Sequence, residues 1–329
     1  MILLRRSTRK DLEAYIAFSE EASMGITTLP QNPMILEQRL KEAEKGFKTG
    51  VFLFSLEWND QVIGSSGITA HRGVSFPLHA YQIRKTKLKN KELNIDRQID
   101  ILHFHTIKTY PTELGSLFLR ESFRGRGLGS LLSYGRLLFI AEFRSHFAPV
   151  VMTELRGISD NDGHCPFWEA VGYHFYHADF RQADYLRIAH PKSVDELFPH
   201  LPIYCDLLPQ EAQKSIGKTH PQTEPARKLL EKQGFINSNV VDLFDAGPHL
   251  YAPTHKIEAV RNCRIAKVHE IKEKIDSPME PILIANRQED FRATSAPILG
   301  RGNKMTISEE VAHLLHLNVG DEIRYTQTT

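Results

Sequence analysis

Between Glu113 and Leu132 the chain runs from a strand-like stretch, Glu113-Leu-Gly-Ser-Leu-Phe-Leu119, through Arg124-Gly-Arg-Gly-Leu-Gly129 into a long apolar segment, an order that few folds accommodate. In Arg124-x-x-Gly127-x-Gly129 the glycines remove side chains where the backbone must bend and its N–H groups converge on an anion, helped by the positive end of the following helix. The stretch lacks the Gly-Lys-Ser/Thr of a nucleotide-hydrolase loop. It also lacks the first glycine of a dinucleotide fingerprint, and no acid about 20 residues later closes a second strand as a ribose ligand would. Two readings remain from these residues: an ordinary solvated strand-to-helix turn, and a pyrophosphate cradle built from Arg124, Gly125, Gly127 and Gly129.

At 329 residues the chain exceeds one ordinary domain. Forty-one Lys and Arg against forty Asp and Glu leave a net charge of +1, which provides no global field for nucleic acid or an anionic membrane. Local clusters exist. Arg120, Arg124 and Arg126 surround the glycine turn, whereas the four lysines from Lys85 to Lys91 read as a solvated loop face. The three cysteines, Cys165, Cys205 and Cys263, are widely spaced and odd in number, so neither a disulfide framework nor metal spacing is expected. Met1-Ile-Leu-Leu-Arg-Arg is neither a signal peptide nor an anchor, and no apolar run approaches a membrane span. A cytoplasmic location without membrane attachment is expected.

Periodicity predicts a strand at Ile2 to Arg5, a helix opening at Ser7 to Asp11, and a second helix from Pro33 to Lys45. Val51 to Trp58 and Val62 to Thr69 read as a hairpin, and residues 71 to 112 resist assignment. The helix after the glycine turn is expected to run from Leu128 to about Phe147, with Gly135 marking a close approach to a sheet. A buried strand at Val150 to Leu155, a loop to Gly163 and a helix at Pro166 to Gly172 follow. This order and the Arg-x-x-Gly-x-Gly turn resemble the acyl-CoA N-acyltransferase (GNAT-like) fold, a mixed α/β architecture that holds a coenzyme A pyrophosphate.

Phe167-Trp-Glu-Ala-Val-Gly-Tyr173 is echoed by Leu229-Leu-Glu-Lys-Gln-Gly-Phe235, each read as a helix end, a capping glycine and an aromatic strand start. This suggests an acyl-CoA-binding domain at 1–185 and a degenerate second half at 186–260; a generic helix-to-strand junction explains the echo equally simply. Residues 261–329 are expected to form a small C-terminal module, with a strand–helix–strand unit at Thr306 to Tyr325 capped by Ser308. Acidic residues at its helix start favour a packing appendage over a reader of bases.

Acyl transfer from a thioester requires a neutral amine, donors for an oxyanion and a proton for the leaving thiolate. Main-chain N–H groups of Ser116, Leu117 and Phe118 are candidates for the oxyanion, and no metal is required. His220, in a loop stiffened by Pro221 and followed by Thr223 as a helix cap, is a candidate acid or base; a structural loop histidine fits the same spacing. A guanidinium calls for carboxylates and an α-carboxylate for an arginine fork, which directs attention to Glu154, Arg156, Asp160 and Asp162. Structural ion pairing of Glu154 and Arg156 is the alternative, and Trp168 reads as core.

Glu113-Leu-x-x-Leu-Phe-Leu119, Arg136-x-Leu-Phe-Ile-Ala-Glu-Phe143, Glu154-x-Arg-Gly157, Pro166-Phe-Trp168, His220-Pro-Gln-Thr223 and Asp242-x-Phe-Asp-Ala-Gly-Pro248 occur together and in order, with Gly25-Ile-Thr-Thr-Leu-Pro30, Ala183-Asp-Tyr185 and Pro202-Ile-Tyr204. Jointly they resemble the arginine N-succinyltransferase family over almost the whole chain. The resemblance implies transfer of a succinyl group from succinyl-CoA, a co-substrate rather than a bound cofactor, to the α-amine of L-arginine in arginine catabolism. It further implies that Leu117 contacts succinyl-CoA and that His220 donates a proton. Gly115, His164-Cys165 and Leu78 to Tyr81 depart from the family pattern, which bears on acyl or amino-acid specificity. The expected partners are these small molecules, with a homo-oligomeric assembly. The competing readings are an N-acyltransferase for ornithine or another amine, and a non-enzymatic regulator that senses acyl-CoA or binds DNA.

Overall fold

Apolar stretches, most of them buried in runs and one strictly alternating, build strands that among the described residues join one sheet. The structure, a computed structural model, describes residues 2–22, 29–160, 162–190, 194–275 and 280–327. Gly25 to Thr28 of the first family stretch lie outside the described residues. The strands are β1 (Ile2–Arg6), β2 (Val51–Trp58), β3 (Gln61–Thr69), β4 (Leu78–Asn90), β5 (Ile95–Ile107), β6 (Thr112–Leu119), β7 (Val150–Glu154) and β8 (Ile203–Tyr204). They continue with β9 (Ile236–Val241), β10 (Pro248–Pro253), β11 (Arg264–Lys272), β12 (Ile282–Asn286), β13 (Arg292–Ala296), β14 (Leu299–Arg301), β15 (Lys304–Ser308) and β16 (Glu322–Thr326). Among the described residues their order across the sheet is β14-β15-β11-β16-β12-β13-β1-β2-β3-β6-β7-β10-β9-β4-β5-β8. The architecture is mixed α/β with a GNAT-like centre at β1 to β3, β6 and β7.

The helix Leu128–Glu142 crosses this centre and buries Leu131, Leu132, Leu137, Leu138 and Phe139 against Leu4, Phe52 and Phe54. It ends at Glu142 rather than near Phe147, and a short turn, Arg144–His146, finishes the segment. Gly135 does mark a close approach: a Cβ there would lie 2.1 Å from Leu4 Cδ2.

The unassigned stretch 71–112 holds a long antiparallel hairpin, with β4 pairing β5 from Leu78↔Ile107 to Asn90↔Ile95. Lys85 to Lys89, expected in a loop, therefore sit on a strand, and Lys85–Asp100 (3.1 Å) and Lys89–Asp96 (3.4 Å) pair across it. Their exposure hid the alternation that marks a half-buried strand. The echo between the two helix–glycine junctions breaks down at Gly172. Gly234 adopts φ +89° and leads into β9, but Gly172 has φ −61° and is followed by another helical turn, Tyr173–Tyr176. Gly172 is small because the Trp168 ring lies over it, 2.2 Å from where a Cβ would stand.

Strands of the two expected N-terminal units alternate in the sheet: β10 and β9, from residues 236–253, lie between β7 and β4. The C-terminal module joins through β13, which pairs with β1. Glu142 Oε2, at the end of the central helix, accepts from Arg287 (3.0 Å) and Arg324 (2.7 Å) and reinforces that junction. Ser308 Oγ accepts from the Val311 N–H at 3.2 Å, the expected cap.

Replacing Gly135 by Ala is expected to lower unfolding free energy by about 1–3 kcal/mol, the usual cost of forcing atoms into a filled core. Denaturant unfolding measures it; an unchanged midpoint would show that Leu4 yields freely.

Candidate active site

Two irregularities of β6 open a cleft in the middle of the sheet. Against β3 the register runs Ser65↔Phe118 and then Gly67↔Gly115, so Ser116 and Leu117 oppose Ser66 alone. Ser116 takes φ +54°, a left-handed conformation unusual for a serine, and is 4 % exposed. On its other side β6 pairs in parallel with β7 only at Thr112↔Val151 and Glu113↔Met152. Beyond that point the strands part.

Carbonyls left over by the parting are met by side chains. Thr153 Oγ1 donates to Leu114 O (2.9 Å), Arg136 Nη1 to Gly115 O (3.1 Å) and Ser65 Oγ to Ser116 O (3.0 Å). These bonds hold the cleft open, because buried main-chain acceptors without partners are costly.

A groove of about 730 Å³ runs from this cleft to the glycine turn, lined by Leu117, Leu119, Arg124, Gly125, Gly129 and Thr223 among others. Gly125 and Gly127 have φ +77° and +75°, and no protein atom lies within 4 Å of a Cβ built on either. Gly127 is the N-cap of the helix Leu128–Glu142, so an anion in the turn meets the positive end of a four-turn helix. Arg124 is partly committed, its Nε donating to Leu119 O at 3.0 Å.

Between the parted strands lies a deeper cavity of about 140 Å³, which shares Leu117, Arg156, Thr223 and Ala226 with the groove. Its walls carry Glu113, Glu154, Asp242 and Asp245 together with Arg136, Arg156 and Arg187. Arg187 bonds Asp242 (2.8 Å) and Glu154 (3.2 Å), and its guanidinium lies 4.8 Å from the Phe244 ring centre. Glu113 pairs with Arg72 at 3.1 Å; burial nonetheless raises its pKa above the usual carboxylate range. Asp245 accepts from the main-chain N–H groups of Gly157 (2.7 Å) and Gly247 (2.8 Å), yet burial and the neighbouring Asp242 push it up to about 7. Asp242 is held below its ordinary value: burial opposes ionisation, and the Arg187 charge outweighs it.

Glu154 Oε1 is buried without a hydrogen-bond partner, as are both ring nitrogens of His249. Glu154, Asp242 and His249 bring potential metal-ligand atoms within 4.8 Å of one another, but Arg187 already supplies positive charge to both carboxylates.

His220 lines neither space itself; it is tied to Arg156, which lines both, and stands just before Gln222 and Thr223, which line the groove. Its main-chain N–H donates to Arg156 O at 2.8 Å, and its Nδ1 accepts from the Gln222 N–H at 3.1 Å. The neutral ring therefore carries its proton on Nε2, and a second proton would break the bond from Gln222. Burial, then the Arg156 charge, lowers the His220 pKa, with the Ser159 main chain acting weakly the other way. Thr223 makes no capping bond through its side chain and faces both cavities instead.

Of the residues singled out from sequence, Leu117, Arg124, Gly125, Gly129, Glu154 and Arg156 line these spaces; Gly127 lies in the turn between Gly125 and Gly129, and His220 is outside the lining, bonded to Arg156 O. Asp160 and Asp162 are not brought there. Both are exposed, and Asp160 folds its own loop by accepting from the Asp162 and His164 N–H groups at 2.9 Å. The acids in their place are Glu113, Asp242 and Asp245. The last two lie in the quoted Asp242-x-Phe-Asp-Ala-Gly-Pro248 stretch, the one signal that marked them.

A bulged strand parted from its neighbour, with a glycine turn at one end of the gap and titratable groups at the other, is the arrangement that an acyltransferase cleft calls for. The family model described as arginine N-succinyltransferase beta subunit matches residues 2–259, and that of its C-terminal domain matches 263–327. The chain is 38% identical to the arginine N-succinyltransferase subunit beta of Pseudomonas aeruginosa, over 98% of this chain and 97% of that one. It is 34% identical to the arginine N-succinyltransferase of Photorhabdus laumondii over the same shares. The solved arginine/ornithine succinyltransferase subunit AI from Pseudomonas aeruginosa superimposes with a TM-score of 0.90 at 29% identity, covering 100% of this chain and 99% of that one. The chain belongs to the arginine N-succinyltransferase family and is an acyltransferase.

Gly127→Ala adds a methyl group that touches no protein atom, at a backbone strain of about 1 kcal/mol. On the reading of the turn as a pyrophosphate cradle, steady-state kinetics is expected to show a rise in KM for acyl-CoA larger than any rise for the amino acid, because the methyl enters the space the anion would take. Equal changes in both would make the turn merely structural.

Proposed function

We propose that this chain transfers the succinyl group of succinyl-CoA to the α-amine of L-arginine, giving N2-succinyl-L-arginine and coenzyme A. The observation that carries the reading is the continuity, through Leu117, Arg156, Thr223 and Ala226, of a glycine-turn groove with a charged cavity where β6 and β7 part. The relatives named for this activity support it.

In this reading Arg124, Gly125, Gly127 and Gly129 hold the pyrophosphate, and the thioester lies beside Leu117, with main-chain N–H groups at the Ser116 bulge meeting the oxyanion. Glu154, with its unpartnered oxygen, and Arg156 orient the amino acid; Asp242 and Glu113 add negative charge for the guanidinium. As the C–N bond forms, the amine releases a proton that His220 takes up. Collapse of the tetrahedral intermediate breaks the C–S bond, and the same proton passes to sulfur. A lowered imidazole pKa suits the second step, since a thiolate of pKa about 8.5 accepts the proton downhill. The substrates are small molecules, the cytoplasm suits three unpaired cysteines, and self-association of identical chains is the proposed assembly.

Mass spectrometry of the product from L-arginine and succinyl-CoA tests the reaction: an adduct on the α-nitrogen is expected, and side-chain acylation or no product overturns it. Ornithine is the second acceptor to compare, because the Pseudomonas aeruginosa protein of known structure is named for both amino acids.

His220→Ala is expected to lower kcat by about 10²–10⁴-fold while the Kd for coenzyme stays nearly constant. A correctly folded variant with wild-type kcat would leave His220 a loop residue. The lowered pKa of His220 also has a signature. The imidazole is neutral at pH 7, so in the wild type kcat declines on acidification only below about 6.5, and that His220 limb disappears from the profile of the variant.

A further inference from the structure

Three arginines line the deep cavity, and their surroundings differ. Arg187 is bonded to Glu154 and Asp242, and Arg156 has Asp245 and Asp184 as its nearest acids. Arg136 has no acidic partner among the described residues. Its Nη1 donates to Gly115 O (3.1 Å) and Gly67 O (3.3 Å), its Nε to Ser133 O (3.3 Å), and its Nη2 makes only a 3.4 Å contact with Ser133 Oγ.

The side chain is 1 % exposed. Burial with no opposing charge pushes its pKa down to about 9, which leaves it a cation at neutral pH. A guanidinium taken out of water without a counter-ion is unfavourable, and an anion entering the cavity relieves that cost. We infer that Arg136 binds the free carboxylate of the acyl group and thereby selects a dicarboxylic acyl thioester over a neutral one of equal length.

Strand geometry supports the assignment. Gly115, whose carbonyl Arg136 grips, lies two residues before Leu117, at most about 7 Å away, because the left-handed Ser116 between them shortens the strand. In a four-carbon diacid the free carboxyl carbon stands about 4 Å from the thioester carbon, three carbon–carbon bonds away, and a charge-assisted hydrogen bond of about 2.8 Å bridges the remainder. A two-carbon acyl group falls short of the guanidinium. The α-carboxylate of the amino acid is the other anion in the reaction, and Arg156, shared by cavity and groove beside His220, is placed for it.

The inference rests on the reading of this cavity as the acyl-transfer cleft, and the experiment separates the two. Wild-type enzyme, Arg136→Met and Arg136→Lys are compared by kcat/KM with succinyl-CoA, butyryl-CoA and acetyl-CoA at a fixed amine acceptor, and with L-arginine against agmatine, which lacks the α-carboxylate. The wild type is expected to prefer succinyl-CoA over butyryl-CoA, and Arg136→Met to lower that ratio by about 10²-fold with the arginine-to-agmatine ratio unchanged. Arg136→Lys keeps a buried cation but loses the fork; a smaller fall in the same ratio is expected, which stands as the test if the methionine variant does not fold. Proportional loss with all three donors makes Arg136 a brace for the β6 bulge and overturns the inference. Collapse of the arginine-to-agmatine ratio alone overturns it too, by assigning the residue to the acceptor. A wild type without preference for succinyl-CoA overturns the proposed acyl donor instead.

Discussion

Parallel strands that stop pairing after two residues leave main-chain groups in need of partners, and the rest of this site depends on how β6 and β7 meet that need. Side chains from three directions satisfy consecutive β6 carbonyls: Thr153 from β7, Arg136 from the central helix and Ser65 from β3. The gap is thereby fixed in width and lined with polar groups. The same central helix begins at the glycine turn, so one rigid element sets both the anion cradle and the floor of the cleft. Gly135 lets that helix seat on Leu4. An error in its seating would shift both ends of the proposed coenzyme site together.

The deep cavity gathers four carboxylates and three arginines in little space, and their pairings are unequal. Arg187 is shared between Asp242 and Glu154, one cation against two carboxylates, while Arg136 is a cation awaiting an anion and Glu154 Oε1 an acceptor awaiting a donor. Zwitterionic and dicarboxylic reactants are complementary to such a cavity in a way that neutral acyl groups and simple amines are not. His220, bonded to Arg156 O, carries a pKa lowered by burial and by the Arg156 charge, which is the direction that makes its protonated form a ready donor.

Local chemistry made part of the site readable in the chain itself. The Arg124 to Gly129 turn is contiguous, and its function is backbone conformation, so residue type at each position carries the information. His220 beside Pro221 is likewise local. Asp160 and Asp162 were attractive because they follow the strand bearing Glu154, but an aspartate two residues from a turn bonds its own backbone before it reaches a ligand, as Asp160 does. Gly172 looked like a helix cap from its neighbours; the Trp168 ring is what requires a glycine there. The β4–β5 hairpin was obscured because its distal half is solvated on both faces, which removes the period-two signal.

The amino-acid sequence by itself determined the element order from β1 to β3 and from β6 to the helix at Pro166, the glycine turn, the cap at Ser308 and the family to which the chain belongs, since these rest on residues adjacent in the chain or on stretches matched in order. Tertiary structure decided that β10 and β9 insert between β7 and β4, bringing Asp242 and Asp245 across the cleft from Glu154. It also decided that Arg136, in the sequence only the first residue of one quoted family stretch, reaches the carbonyl of a strand 21 residues earlier. Such contacts arise from sheet order and helix seating, which sum many weak apolar contacts over the whole chain, and no local pattern of residue types encodes them.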